Sequence, residues 1–333
     1  MDLSVLDVIP VASGHSPQQA LAGAGELAQR VDKLGFKRLW YAEHHGMQNI
    51  ASTSPEVMIA HAGALTNRIR IGAGGVMLPN HVPLRVVEQY RTLNALYSGR
   101  IDLGIGRASG SDPLTARALR ATSGGEFEEL MAEVQAFEHH EFPAGHPFGH
   151  IRVTPGAISL PPIWMLGSSG GSAQFAGENG LGYAFAGHFS PTPAPPATRA
   201  YRENFKPSKE FTSPHVILAL NVLCAETNAK AAEIALPVLY ALTALERGET
   251  RPVLSPEEVR KKGFTGAPDS LGTMARLLIA GDPPTVRARI EKLAFEAGAH
   301  EVMVMTLAHS PQDRLRSYEL LAQVFQLNQS PPA

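Results

Sequence analysis

Residues 69–107 read IRIGAGGVMLPNHVPLRVVEQYRTLNALYSGRIDLGIGR. Ile69–Val76 reads as a strand, Pro83 to Leu96 as a helix closed by Gly99, and Ile101–Ile105 as the next strand. Both strands are near-continuous apolar runs, the pattern of parallel strands buried on both faces between crossover helices. The stretch is one complete β/α/β step.

The same step recurs in both directions. Upstream, Leu3–Val8 is a short apolar strand, followed by a helix from Pro17 to Leu34 with Leu21, Leu27, Val31 and Leu34 at helical spacing and Gly35 as its cap. Arg38–Tyr41 is the second strand, and Ser54-Pro55 caps and opens a helix running to Leu65. Downstream, Ala108–Thr122 is polar and reads as a long functional loop, with a helix at Glu126–His140. Strands follow at Pro162–Leu166, Tyr183–Ala186, Val216–Leu223 and Glu301–Met305. Helices are expected at Ser172–Asn179, around Tyr201, and at Ala229–Leu245, Pro283–Ala297 and Asp313–Phe325. Eight ordered units favour an α/β fold of the closed (β/α)8 TIM-barrel type over an open doubly wound sheet with a small extra domain. The expected organisation is one domain over residues 1–333, with a polar insertion at about 248–270 between strands seven and eight.

Composition narrows the function. The chain has 333 residues, 44% apolar and 18% charged, with a net charge of −2. A basic stripe for nucleic acid or a polybasic membrane patch is not expected from that balance. No apolar run reaches the ~18 residues of a spanning helix, and Met1–Val5 lacks the basic region of a secretory signal, so the cytoplasm is the default compartment. The single cysteine, Cys224, excludes an intramolecular disulfide and a cysteine-based zinc site.

In a barrel the chemistry sits where the strands end at their C-terminal side. Those ends carry Glu43-His44-His45, Gly74-Gly75 with Asn80-His81, Gly106-Arg107, the Gly/Ser run Gly167–Ser172, and Gly187-His188-Phe189. The Gly/Ser run joins a strand to a helix start, where free N–H groups and hydroxyls suit a phosphate, with Arg107 as charge partner. The alternative is a flexible turn with no ligand. Adjacent histidines point in different directions and chelate poorly, so no metal is expected, and a neutral His44 tuned by Glu43 fits a general base or hydrogen-bond donor better. Gly104-Ile105-Gly106 lacks the third glycine of a dinucleotide fingerprint, and no Gly-x-Ser-x-Gly elbow occurs. Trp40, Met77, His188 and Phe189 are candidates for substrate contact, with helix packing as the alternative role for the apolar ones.

These pieces together resemble one family, the bacterial-luciferase-like flavin-dependent monooxygenases. The resemblance is carried by Leu39–His45, Ile71–His81, Gly99–Arg107, Leu166–Ser169, Gly180–Ala186, Gly281–Val286 and Arg316–Leu321, in that order. It implies a TIM barrel with a late insertion, reduced FMN as cofactor (F420 in some branches), O2 and an organic substrate. By resemblance, Gly74-Gly75 lies where the family often has a non-prolyl cis peptide beneath the flavin, and Arg107 matches the phosphate-binding arginine. Leu166, Gly167, Ser168, Ser169 and Ser172 fall on the phosphate loop, and His44 matches the catalytic histidine, with Glu43 as its electrostatic partner. Gly106 stands where luciferase itself has a reactive cysteine, so light emission does not follow. The resemblance also implies a separate NAD(P)H-dependent flavin reductase and a homodimer. The expectation is thus a monooxygenase acting on a small apolar or aromatic molecule. An F420-dependent oxidoreductase and a non-catalytic flavin-storage protein are the alternatives.

Overall fold

The computed structural model describes residues 1–122 and 124–329. In chain order the first half comprises β1 (Asp2–Asp7), α1 (Pro17–Leu34), β2 (Arg38–Tyr41), α2 (Pro55–Leu65), β3 (Arg70–Met77), α3 (Pro83–Leu96), β4 (Ile101–Gly106), α4 (Pro113–Ala118), α5 (Phe127–His139) and β5 (Ile163–Gly167). The second half comprises α6 (Gly170–Glu178), β6 (Gly182–Phe185), α7 (Ala194–Glu203), β7 (Val216–Cys224), α8 (Asn228–Leu245), α9 (Pro256–Lys261), α10 (Thr273–Arg276), β8 (Ile279–Gly281), α11 (Pro283–Ala297), β9 (Glu301–Met305) and α12 (Pro311–Val324). Strands β1 to β7 pair successively in parallel, and β9 closes the ring between β7 and β1. The result is a closed eight-stranded parallel barrel wrapped by helices, as the alternation predicts.

Local chemistry explains the elements. Helix α1 begins with a capping box, in which the Ser16 hydroxyl accepts from the Gln19 N–H while the Gln19 side chain accepts from the Ser16 N–H, and it ends at Gly35 in the left-handed region. Two departures from the sequence reading have simple causes. Strand β8 lies outside the barrel, against Val222–Cys224 of β7, and its three residues are too few to show a period. Within the stretch read as loop, Asp112 caps α4 by accepting from the Leu114 and Thr115 N–H groups. The polar insertion contributes α9, also opened by a capping box, and docks on the chain after β1, where the Ser13 N–H donates to the Val253 carbonyl at 2.9 Å. Val253 and Val259 are buried beneath it.

The barrel interior is filled by Leu6, Trp40, Trp164, Ile217 and Met303 among others, and a larger apolar layer lies between strands and helices. At the N-terminal end, the Arg38 guanidinium bonds both Glu301 oxygens, at 2.7 and 3.0 Å, and Asp102 at 2.7 Å. Arg70 holds the other Asp102 oxygen at 2.6 Å. That network floors the barrel, so the open end is the one where the strands finish. No helix among the described residues is long and apolar enough to cross a membrane.

Candidate active site

Three structures converge on the open end. The first is a cradle of small residues. The Gly74–Gly75 peptide is cis. A Cβ on Gly75 would come within 2.8 Å of the Gly104 carbonyl, so that position needs glycine for strands β3 and β4 to approach this closely, while one on Gly74 would come within 2.8 Å of the Leu6 side chain and 3.1 Å of Trp40 in the barrel interior. The pairing of β3 with β4 shifts register between Ala73 and Val76, at this place. Across β4, β5 ends at Gly167 and α6 begins at Gly170, with Ser169 at the N-cap making no side-chain cap bond. The first N–H groups of α6 therefore lack a serine cap. The exposed Arg107 reaches this helix start: its Nη1 lies 4.0 Å from where a Gly171 Cβ would stand, and its guanidinium lies 5.5 Å from the Phe127 ring. Ser168 is half-buried and Ser169 exposed, whereas Ser172 is buried and its hydroxyl donates to the Ser169 carbonyl at 3.0 Å. Ser172 shapes the loop from within.

The second structure is a hub around Glu43, which is fully buried. Its carboxylate accepts from His45 Nε2 at 2.9 Å, the Met77 N–H at 2.9 Å, Asn80 Nδ2 at 2.9 Å and His81 Nε2 at 2.9 Å. Burial pushes the carboxyl up, but bonds and charge from His81, with help from Asn80 and the Met77 N–H, hold it below its ordinary value. The same pairing raises His81 against the effect of its burial. Asn80 also donates to the Ser109 carbonyl, and the His45 N–H to the Gly110 carbonyl, so the hub ties together the chain segments that follow β2, β3 and β4. None of its hydrogen bonds goes to His44. The expected Glu43–His44 partnership is therefore one of charge alone: consecutive residues leaving a strand project to opposite sides, and the carboxylate's side-chain hydrogen bonds include His45 and His81 while its charge still acts on His44.

The third structure is a cavity of about 330 Å³ between the strand ends and the insertion. His44 and His188 line it from the segments that follow β2 and β6, Asn221 from β7 and Met305 from β9, while Leu242 and Leu245 of α8, with Val253, roof it. Burial lowers the His44 imidazole below its ordinary value, opposed by the Gly110 carbonyl and Glu43. Burial, with His44 nearby, takes His188 down to about 3. Both rings are therefore neutral at pH 7. The Nδ1 atoms of His44 and His188 are buried and have no hydrogen-bond partner in the protein. Phe189 also lines the cavity and meets the His188 ring edge-on at 4.8 Å.

Two expected substrate contacts lie elsewhere. Trp40 is fully buried in the barrel interior, packed edge-on against Trp164 at 5.7 Å, with its indole N–H donated to Asp102 at 3.0 Å. It sits within the strand, where the side chain points to the barrel centre, and not at its end. Met77 packs beside Gly106, close to where a Cβ there would stand, and not against the cavity. Sequence reasoning missed Asn221, although an amide in the otherwise apolar run Val216–Cys224 was a visible signal.

Comparison with known proteins gives the family. A family model described as luciferase-like monooxygenase matches residues 1–301. A luciferase-like monooxygenase of Escherichia coli is 39% identical over 323 residues, covering 96% of each chain. An N-acetyl-S-alkylcysteine monooxygenase of Bacillus subtilis is 30% identical over 327 residues, covering 96% of this chain and 97% of its own. The crystal structure of apo-MsnO8 superposes with a TM-score of 0.90 at 35% identity, covering 99% and 98% of the two chains. At 18% identity, where likeness shows the fold alone, the barrel is shared with two others. One is the oxygenating constituent of 3,6-diketocamphane monooxygenase from Pseudomonas putida in complex with FMN (TM-score 0.73, 97% of both chains). The other is an F420-dependent secondary alcohol dehydrogenase (TM-score 0.68, 99% of both chains). The chain belongs to the luciferase-like monooxygenase family.

Proposed function

We propose that this chain is a flavin-dependent monooxygenase that takes reduced FMN and O2 and oxygenates a small, predominantly apolar organic molecule. The observation that carries the reading is the pairing, at one barrel mouth, of an anion cradle with a cavity holding neutral, unpartnered histidines. The residues present fit the cofactor. The N–H groups at the start of α6, with Gly167, Ser168, Ser169 and Arg107, offer donors and charge to a phosphate. Gly74 and Gly75 add no side chain to the strand end on which a flat ring would lie, and Leu166 would offer it an apolar contact. Bound there, reduced FMN supplies the electrons with which O2 is split between the organic product and water.

The remaining work falls to this chain. His44, neutral and with Nδ1 free, accepts or returns a proton there as oxygen is transferred. The apolar roof from α8 and the insertion excludes water from the reaction. Glu43 acts as a positioning residue, fixing the three segments that carry His44, the glycine cradle and Arg107. Exposure of Arg107 and Ser169 suits a flavin that exchanges with solution and is delivered by a separate NAD(P)H-dependent reductase. In this reading the exposed Val57 on α2 belongs to the surface of a homodimer.

The test has two stages. Calorimetry under anaerobic conditions is expected to show reduced FMN binding in preference to F420; the reverse preference assigns the barrel to a dehydrogenase. Mixing the reduced complex with isotopically labelled O2 and a panel of apolar substrates is then expected to place label in an organic product. Recovery of all reducing equivalents as hydrogen peroxide across the panel overturns the proposal.

A further inference from the structure

Ten buried side-chain polar atoms among the described residues have no hydrogen-bond partner, and four of them belong to residues lining the one cavity described above: His44 Nδ1, His188 Nδ1, Asn49 Oδ1 and Asn221 Oδ1. Buried polar groups are ordinarily paired, so such a concentration marks where a ligand completes the set. Of the four, Asn221 is the most defined. It is 2% exposed, and its Nδ2 donates to the His188 carbonyl at 2.7 Å. That bond fixes which way the amide faces. The atom left over is the oxygen, which can only accept. The imidazole Nδ1 atoms can donate or accept according to tautomer, so they adapt to whatever the amide selects.

The other walls limit the charge. They are largely aliphatic and thioether groups, such as Val8, Ile50, Leu242, Met274 and Leu307. The one ionised side chain at the cavity edge, Glu249, is paired with Arg251. A carboxylate brought inside would meet no cation, and an unpaired buried charge is strongly disfavoured.

We propose that Asn221 is a specificity-determining residue: the cavity takes an uncharged, largely apolar molecule carrying an O–H or N–H donor, and that donor bonds Asn221 Oδ1. Calling that molecule the substrate rests on the monooxygenase reading above; the selectivity for a donor does not. A site built to receive a donor rejects the analogue that lacks one, because the buried acceptor is then left bare.

The experiment uses the full chain without flavin and three probes with one body and different heads: 4-butylphenol, 4-butylanisole and 4-butylbenzoate. Calorimetry is expected to show the phenol binding at least about tenfold more tightly than the other two. In Asn221→Leu the preference over the anisole is expected to shrink to within about twofold. Leu245→Trp, which fills the cavity, should abolish binding of all three and locates the site even if the Asn221 variant does not fold. Equal binding of phenol and anisole to the wild type, tighter binding of the benzoate, or a preference that survives in Asn221→Leu overturns the proposal. So does displacement of the phenol by excess FMN, which would assign the cavity to the cofactor. Because the probes are read without flavin, failure of FMN binding alone would overturn the monooxygenase reading and leave the donor selectivity intact.

Discussion

The charged cluster at the floor of this barrel and the neutral polar groups lining the cavity at its mouth are paired to different degrees. At the floor, Arg38, Asp102 and Glu301 are almost completely buried, and every oxygen and nitrogen of the three charged heads is bonded. Burial alone would raise Glu301, yet Arg38 and its other partners draw it down to about 2. At the mouth, His44, His188 and Asn221 each keep one buried polar atom unpaired. Saturation fixes a structure, and an unpaired group in a neutral cavity awaits a partner from outside. Within the mouth, the Glu43 carboxylate belongs with the floor in this respect: both of its oxygens are engaged by donors, and it positions the segments around it.

Three substitutions probe that contrast. Arg38→Met, at the floor, strands Glu301 without its main partner and is expected to cost about 3–5 kcal/mol of stability, read by urea unfolding. FMN affinity of the folded fraction should stay within about twofold; a loss of affinity as large as the loss of stability would erase the distinction between the ends. His44→Ala should do the reverse, lowering single-turnover oxygenation by at least about 100-fold with FMN binding retained. Because burial holds His44 below its ordinary value, the neutral form dominates throughout pH 7–9 and the wild-type rate should be flat there. An acid limb should appear only below the usual histidine range and vanish in the variant. Unchanged rates with pre-reduced flavin would remove the role. Arg107→Ala is the mildest: FMN affinity should fall by about tenfold through loss of a charge-assisted bond, with little change in melting temperature because the side chain is exposed. Equal affinity by calorimetry would remove the anchor.

The roof shows why some of this was hard to read in advance. Residues 248–270 look like a polar insertion because α9 presents charged groups such as Glu257 and Lys261 to solvent. Of their few apolar members, Val253 lines the mouth cavity and Val259 of α9 is buried. A sparse apolar pattern on a short helix carries too little periodicity to show its partner. Trp40 illustrates the opposite error. Proximity to a motif suggested a rim position, but its place inside β2 puts it in the barrel core.

By itself the chain determined its architecture, because eight repeats of apolar strand, crossover helix and capping residue leave one economical way to bury both faces of every strand. It also marked the strand ends where polar side chains gather, and the glycines that only close backbone approach requires. Only the tertiary structure decided which of those side chains are spent on each other and which remain free. Glu43 and His44 are neighbours in sequence, yet one is bound by four donors from two segments and the other opens on the cavity with Asn221, which lies far along the chain on β7. Hydrogen bonds between residues tens or hundreds of positions apart leave no trace in a local pattern, and they separate the groups that hold this barrel together from those left to meet a ligand.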